Sequence, residues 1–316
     1  MKFATTISTS VTAAALVACL AAPVSADPAV PPFYEAAMRI KPDGKLGRVV
    51  KQEEIKTAIP GARAWRIAYV SSDAREQPTI VTAVVVAPTA TAPAGGRPVI
   101  AWGHGTTGTA QNCGPSQMLD PVQELNEYFL VGGDSWTDYG LPSVAALIKA
   151  GNVVVATDYQ GLGGGGRHQY AVATAQAHDA INSVRAAHAM ADTGAGRKAI
   201  MYGWSQGGGA TIAAASMGDY IARRGSAADG VNFVGFVAMA PQDAAVLTGG
   251  KALDQALADK VMTDIVTQFS GNVFDFAHFS MNMWGNQAAY PNLKMSDLFT
   301  DEGVKALDEI YSKKCM

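Results

Sequence analysis

Short apolar runs rich in β-branched residues alternate along the middle of the chain with longer Ala-rich stretches. The short runs are typical of buried strands and the longer stretches of helices. The predicted strands span residues 64–70, 80–87, 98–102, 153–157, 198–202 and 233–240. The predicted helices span residues 141–150, which Gly151 ends, 170–191, and 208–224 with an interruption at Gly218. This alternation predicts an α/β fold, a mostly parallel sheet covered by helices.

The pattern changes after Asp243. From there to Met316 the chain has helical stretches and a segment rich in aromatic residues, Asn and Met, with no convincing further strand. We expect this part to lie over the sheet as a helical cap. The predicted organisation is a signal peptide at 1–26, an α/β core at 27–245 and a cap region at 246–316, with the chain ending in or just after the cap and before the last core strands.

The N-terminus has the features of an export signal. Lys2 precedes an apolar stretch at 11–22, and small residues at 24–26 fit a signal peptidase site that leaves Asp27 first. The protein is therefore expected to be secreted or periplasmic. The alternative is a lipoprotein anchored through Cys19, because a Leu-Val-Ala-Cys sequence ends there.

Composition narrows the class of function. Of 316 residues, 48% are apolar and 16% charged, so the chain can bury a large core and is not disordered. The net charge of -3 comes without a Lys/Arg block, which excludes the usual electrostatic footprint of a nucleic-acid binder. No other apolar run approaches the roughly 20 residues that a membrane span requires. A small, fairly neutral substrate is expected.

Two cysteines remain after the signal is removed, Cys113 and Cys315. An exported protein with an even number of cysteines is a candidate for a disulfide, which here would tie the chain's end to its middle. Two unpaired thiols are the alternative.

The pentapeptide Gly203-Trp204-Ser205-Gln206-Gly207 matches the G-x-S-x-G motif. A predicted strand leads into it and a predicted helix leads out, which is the strand-turn-helix setting of a nucleophile elbow. Glycine is needed at both ends because the backbones approach closely there. Ser205 is therefore the predicted nucleophile; a glycine-rich helix entry with an idle serine is the alternative.

A nucleophilic serine also needs backbone donors for the oxyanion that forms on the substrate. The N–H of Gln206 is the first predicted donor, because it follows the nucleophile. The N–H of Thr106 is the second, since the turn after the strand at 98–102 can supply it, with Gly105 giving the substrate room. His104 is interpreted as a residue that fixes this turn and not as a base.

Three segments together carry a family resemblance. They are His104-Gly105-Thr106, Thr157-Asp158-Tyr159-Gln160-Gly161-Leu162-Gly163 and Gly203-Trp204-Ser205-Gln206-Gly207-Gly208. From about Pro31 to its end the chain resembles the secretory lipases of fungi and bacteria, of the lipase A type, within the α/β-hydrolase superfamily. The resemblance implies a secreted lipase or esterase with a large helical cap, and the change at Asp243 falls where that cap would begin.

A serine hydrolase of this fold needs an acid and a histidine after the nucleophile. His278 is the one histidine after Ser205. In one interpretation the sequence is a fragment, and the missing C-terminal part carries both groups on loops after the last two strands, as the resemblance implies. In the other, Asp243 is the acid and His278 is the base.

A second glycine motif is set aside. Gly161, Gly163 and Gly166 fit the G-x-G-x-x-G spacing of dinucleotide-binding loops, but a tripeptide separates the strand from the first glycine. The acidic residue expected on a following strand is also absent. No cofactor is therefore predicted, and a flexible turn beside the active site is the favoured interpretation.

No metal site is predicted either. His178, His188, Asp179 and Asp192 do not have the spacing of metal ligands, so they are interpreted as solvated or structural.

The predicted cap is rich in aromatic and sulfur-containing side chains. They line an acyl-chain pocket or a lipid-facing lid in one interpretation and form the cap's own core in the other. The residues are Phe269, Phe274, Phe276, Phe279, Met281, Met283 and Trp284.

These features predict a secreted serine ester hydrolase, a triacylglycerol lipase or carboxylesterase that acts on an ester or lipid substrate through an acyl-enzyme on Ser205. A non-catalytic binding protein of the same fold is the alternative, because the downstream acid and histidine are missing or atypical. Contact with a lipid interface through the cap is a further expectation, and the oligomeric state is left open.

Overall fold

A computed structural model of the chain describes residues 30–124, 140–242, 251–252, 254–269 and 271–316. The predicted signal peptide at 1–26, the alternative lipidation site Cys19 and the candidate acid Asp243 lie outside the described residues. Within the described ranges, no helix is both long enough and apolar enough to cross a membrane.

Seven strands of the described residues form one sheet. In chain order they are β1 (Val49–Ile55), β2 (Ala62–Ser72), β3 (Pro78–Pro88), β4 (Arg97–Gly103), β5 (Val153–Thr157), β6 (Ala195–Trp204) and β7 (Asn232–Met239). Their order across the sheet is β1-β2-β3-β5-β4-β6-β7. The pairs from β1 to β5 are antiparallel, and those from β5 to β7 are parallel. Parallel neighbours need connections that cross a sheet face, and helices provide them here, as predicted.

Helices cover the sheet and make up the C-terminal region. They are α1 (Pro32–Met38), α2 (Val144–Lys149), α3 (Ala173–Ala189), α4 (Gln206–Ser216), α5 (Gly218–Ala222), α6 (Gln255–Phe269), α7 (Val273–Ala289) and α8 (Asp301–Lys313). All predicted strands and helices are present, with shifted ends. The long helix predicted at 170–191, for example, begins only at Ala173.

One strand is missing from the predicted elements. β1 precedes the strand predicted at 64–70 and pairs with it at the edge of the sheet. β1 includes the polar run Lys51-Gln52-Glu53-Glu54 and is largely exposed, so it lacks the apolar signal of a buried strand. The helix predicted at 208–224 is interrupted, as predicted, because Met217 leaves the helical conformation and Gly218 begins α5.

The sheet separates two apolar cores. Val155 of β5 and Ile181 of α3 are fully buried in the larger core. Val154 of β5 packs with Ile148 of α2 in the second core. Successive side chains of a strand point to opposite faces, so β5 supplies both cores. This explains why its sequence is apolar throughout.

The described residues after Gln242 form mainly helices, as predicted. α7 and α8 pack together around a small buried cluster that includes Met281, Trp284 and Tyr311. Tyr170, which lies just before α3, joins this cluster and connects the C-terminal helices to the sheet region.

The chain's last residues are tied to the loop that follows β4. Cys113 and Cys315 form a disulfide with their Cα atoms 5.4 Å apart, as predicted. Gly108 pairs with Cys315 in an isolated antiparallel bridge. The N–H of Met316 donates to the carbonyl oxygen of Thr107 at 3.1 Å. The C-terminal segment therefore contacts the loop that carries the predicted oxyanion donor.

Candidate active site

Ser205 lies on a sharp bend between β6 and α4. Its φ of 53° and ψ of -114° fall outside the regions that residues with a side chain readily adopt, at a cost of about 1–3 kcal/mol. Its N–H donates to the carbonyl of Met239 at 3.0 Å, and its own carbonyl accepts from the N–H groups of Gly209 at 3.0 Å and Gln242 at 2.9 Å. The bend is thus held on both sides, and Ser205 is only partly buried.

The two glycines of the motif are required by close backbone contacts, as predicted. A Cβ atom at Gly203 would overlap the carbonyl oxygen of Gly207. A Cβ atom at Gly207 would overlap the carbonyl oxygen of Gly103 and lie 2.8 Å from that of His104. The first turn of α4 therefore rests directly on the end of β4.

The two predicted oxyanion donors lie on elements that meet at the bend. Gln206 is buried and is the first residue of α4. Thr106 is buried in the loop after β4, and its hydroxyl shares a 2.7 Å hydrogen bond with the hydroxyl of Tyr170. Since Gly103 pairs with Gly203, β4 and β6 end side by side. The carboxyl ends of parallel strands are where ligands bind in α/β sheets.

His104 holds the turn that contains Thr106. Its Nδ1 lies 2.6 Å from the carbonyl oxygen of Gly105, and its Nε2 lies 3.3 Å from that of Asp158. Burial lowers the pKa of His104 to about 4. Because both ring nitrogens face carbonyl oxygens, the contacts favour the predicted structural role over that of a base.

His168 is the site residue that the sequence interpretation misses. It is fully buried, and its Nδ1 lies 2.6 Å from the carbonyl oxygen of Gln160. Its Nε2 lies 3.1 Å from the side-chain nitrogen of Gln206. Burial lowers the pKa of His168 to about 4. Its position two residues after the glycine-rich turn at 161–166 is the one signal that the sequence offers.

A buried carboxyl group follows β5. Asp158 accepts hydrogen bonds from the hydroxyl of Thr82 at 2.6 Å, from the N–H of Ser116 at 2.8 Å and from the hydroxyl of Ser116. Burial raises the pKa of Asp158 to about 6. These bonds tie β3 and the loop after β4 to the turn after β5.

Asp179 and His178 are structural residues inside α3, in agreement with one of the two predicted roles. Asp179 accepts from the hydroxyl of Ser71 at 2.6 Å and from the N–H of Gln160 at 2.8 Å. Burial raises the pKa of Asp179 to about 7. The ring of His178 stacks on that of Tyr220, with the centroids 4.0 Å apart.

His188 and Asp192 lie away from Ser205. His188 lines a cavity with Arg197 near the amino ends of β4 and β6, whereas Ser205 follows the carboxyl end of β6. Asp192 is exposed and lies 3.7 Å from Arg63. Among the residues that the structure describes, no three His, Cys, Asp or Glu side chains are grouped so that they could hold a metal ion.

The glycine-rich turn at 161–166 packs closely against neighbouring backbone, and its flexibility stays a prediction. A Cβ atom at Gly161 would overlap the backbone of His168, and one at Gly164 would overlap the carbonyl oxygen of Ile80. The glycines let the turn pass close to β3 and bring His168 toward α4.

Of the two residues considered as base and acid, the structure describes only His278. His278 lies in α7 and is partly buried. Asp243 lies outside the described residues, so the pairing of Asp243 with His278 stays a prediction.

An apolar cavity of about 640 Å³ opens between α7 and α8. Phe276, Ala277 and Ile310 line it, and Gly108 and Cys315 close one end. The cavity therefore adjoins the loop after β4 that carries Thr106.

Some of the aromatic and sulfur-containing residues of the predicted cap are buried in its core and others line the cavity, and their role toward an acyl chain stays a prediction. Met281 and Trp284 belong to the buried cluster, with Met283 packed against it. Met281 also lines the cavity with Phe276. Phe279 contacts the ring of Phe299 at a centroid distance of 6.2 Å. The side chains of Phe269 and Phe274 lie outside the described part of the chain.

Comparison with known proteins gives a family match and a fold. Residues 134–235 match the family model described as secretory lipase. Comparison with curated protein sequences gives no match. The closed state of lipase A from Candida antarctica is similar, with 17% identity and a TM-score of 0.62 over 91% of this chain and 61% of that chain. The rice cell wall degrading esterase LipA from Xanthomonas oryzae is also similar, with 19% identity and a TM-score of 0.59 over 85% of this chain and 68% of that chain.

The chain thus spans 61% of the length of the Candida antarctica structure. At these identities the likeness establishes the fold alone. The chain has the α/β-hydrolase fold, and the secretory lipase match confirms the family resemblance over residues 134–235.

Proposed function

We propose that the protein is a secreted serine ester hydrolase, a lipase or carboxylesterase, that acts through an acyl-enzyme on Ser205. The observation that carries the proposal is the backbone of Ser205, with φ 53° and ψ -114°. A folded protein retains such strain in a residue with a side chain only where surrounding contacts enforce it, and such residues cluster at active sites. The secretory lipase match over residues 134–235 supports the same function.

The reaction follows from the groups around the bend. Ser205 Oγ attacks the ester carbonyl carbon, and a base takes the hydroxyl proton and passes it to the leaving alcohol. The backbone N–H groups of Gln206 and Thr106 donate to the oxyanion of the tetrahedral intermediate. The amino end of α4 adds a favourable dipole. Water then hydrolyses the acyl-enzyme and releases the carboxylic acid.

Four of the five histidines are poorly placed to be the base. His104 and His168 each have both ring nitrogens within hydrogen-bonding distance of other groups. His178 is stacked on a tyrosine in the core, and His188 lies near the amino ends of the strands. Of the histidines that the structure describes, His278 is the remaining candidate.

We propose His278, with Asp243 as the acid, as the proton relay that this sequence contains. The variant His278→Gln tests this role: a loss of about a hundredfold or more in kcat assigns the base to His278. Unchanged turnover excludes His278 as the base.

The acyl group is proposed to enter the cavity between α7 and α8. The cavity adjoins the loop with Thr106, and its walls are mainly apolar. Val273 and Phe276 on its rim are 87% and 40% exposed, a surface suited to a lipid interface. In this proposal the core at 27–245 holds Ser205 and the two oxyanion donors, and the cap at 246–316 contacts the acyl group and carries His278.

Hydrolysis of p-nitrophenyl esters tests the proposal. We expect the full chain to release p-nitrophenol and Ser205→Ala to abolish the release. Ser216→Ala is the matched control, because Ser216 is an exposed serine at the other end of α4. Retained turnover in Ser205→Ala would defeat the assignment of the nucleophile.

A further inference from the structure

The residue after the proposed nucleophile has a buried side chain with a specific partner. Gln206 is 2% exposed and His168 is 1% exposed. The side-chain nitrogen of Gln206 lies 3.1 Å from Nε2 of His168, although the two residues are 38 positions apart in the chain. This contact joins the start of α4 to the segment between β5 and α3.

The hydrogen-bond partners of His168 specify its tautomer. Nδ1 lies 2.6 Å from the carbonyl oxygen of Gln160, which can only accept, so Nδ1 must carry a proton. In a neutral ring Nε2 then has a free lone pair and accepts from the amide N–H of Gln206. Because burial lowers the pKa of His168 to about 4, the ring is neutral near pH 7.

His168 is itself held in place. The backbone N–H of Gln160 donates to Asp179 at 2.8 Å, and the backbone carbonyl oxygen of Gln160 accepts from Nδ1 of His168. The ring of His168 lies between those of Tyr159 and Tyr170, at centroid distances of 6.2 Å and 6.1 Å. A chain of hydrogen bonds therefore runs from Asp179 in α3 through His168 to Gln206.

We propose that His168, as the neutral Nδ1–H tautomer, is a positioning residue that fixes Gln206 and thereby orients the backbone N–H of Gln206 toward the oxyanion. The inference rests on the proposed ester hydrolase function. A hydrogen-bond donor stabilises the developing charge only if it lies within a few tenths of an ångström of the required position. Neighbouring residues that pack against the donor residue and hydrogen-bond to it hold it there. The pairing also accounts for glutamine at this position, because an apolar residue would leave Nε2 of His168 buried without a donor.

Nitrogen NMR of the full chain labelled with ¹⁵N-histidine tests the geometry without any activity. We expect His168 to have a protonated Nδ1 and an unprotonated Nε2 at pH 7. Gln206→Met, which removes the donor and keeps the length of the side chain, should shift the Nε2 resonance of His168. A protonated Nε2 in the wild type would overturn the proposal.

Kinetics tests the positioning role. His168→Phe should lower kcat for p-nitrophenyl ester hydrolysis about tenfold or more, with KM changed less than about twofold, because the lost support acts on the transition state. His168→Gln should recover most of the rate, since its side-chain oxygen reaches the place of Nε2 and accepts from Gln206. His188→Gln serves as the control, because His188 lies near the amino ends of the strands.

A double variant completes the test. If His168 acts through Gln206, the variant with both His168→Phe and Gln206→Met is no slower than the slower single variant. Unchanged kcat in His168→Phe, or equal losses in His168→Phe and His168→Gln, would overturn the positioning role. Turnover that survives Ser205→Ala would instead defeat the hydrolase proposal and leave the NMR result on His168 intact. If His168→Phe fails to fold, the kinetics of His168→Gln and the NMR measurement still test the positioning role of His168.

Discussion

Gly207 at the start of α4 packs directly on the carbonyl oxygen of Gly103 at the end of β4, and a Cβ atom at 207 would overlap it. The overlapping atoms belong to the backbone, so they cannot move aside as a flexible side chain would. Gly207→Ala is therefore expected to lower the free energy of unfolding by about 1–3 kcal/mol or more. Urea denaturation followed by circular dichroism measures the change.

Gly218→Ala is the matched control for this substitution. Gly218 is also at the start of a helix, α5, but a Cβ atom there meets no other atom within 4 Å. It should leave stability unchanged or raise it by up to about 1 kcal/mol, since alanine favours the helix. Equal effects of the two substitutions would contradict the close approach of α4 and β4.

The disulfide should contribute strongly to stability, because Cys113 and Cys315 are 202 positions apart. In the chain-entropy model a loop of this size is worth about 5 kcal/mol, and strain in the folded state usually brings the measured value into a range of roughly 2–5 kcal/mol. Replacing both cysteines by serine should lower the free energy of unfolding by that amount in urea. The wild type treated with reductant should then match the double variant. A double variant as stable as the oxidised wild type would argue against the bond.

The free energy of unfolding should fall as the pH rises because of Asp179. Burial raises its pKa from 3.8 to about 7, so between these values the folded state binds a proton that the unfolded state lacks. The contribution of this carboxyl group is fully present below about pH 4 and is lost as the pH rises through about 7. Asp179→Asn cannot ionise, and its side-chain oxygen can still accept from Gln160.

The difference in unfolding free energy between Asp179→Asn and the wild type isolates this group from the other buried titratable residues. As the pH rises from about 4 to about 7, the unfolding free energy of the wild type should fall relative to that of the variant. Urea unfolding at several pH values measures it. A difference that is flat or that falls with pH would show that the carboxyl group is not buried as described.

The cavity between α7 and α8 predicts a dependence on acyl-chain length. Ala277 lines the cavity, so Ala277→Phe should narrow it. We expect kcat/KM for long-chain p-nitrophenyl esters to fall about tenfold or more, while that for the acetate ester changes less than about twofold. Ala256→Phe, at an exposed position of α6, should affect neither substrate. An equal loss of kcat/KM for esters of all acyl-chain lengths would show that the acyl group does not bind in this cavity.

The parts of the site that could be predicted from the sequence are those with a local cause. The bend at Ser205 needs glycine at 203 and 207, so a pentapeptide between an apolar strand and a helix carries the information. The change of pattern at Asp243 likewise appears in the sequence, because strands and helices differ in their apolar period.

The parts that could not be predicted depend on contacts between distant segments. His168 contacts Gln206 because a packed turn brings it there, and its own neighbours in the sequence do not indicate a partner. The sequence does not decide between a solvated and a structural Asp179; the residue is fully buried, and the hydroxyl of Ser71 and the N–H of Gln160 donate to it. β1 was not predicted because it is an exposed edge strand with a polar run, so its sequence lacks the apolar pattern of a buried strand.

Reaction with a fluorophosphonate probe tests the central claim most directly, because only an activated serine hydroxyl attacks it. We expect the full chain to be labelled once, on the peptide that contains Ser205, and Ser205→Ala to remain unlabelled while Ser216→Ala is labelled as the wild type is. Folded wild-type protein without label at Ser205 would contradict the account and would favour a binding protein built on a hydrolase fold.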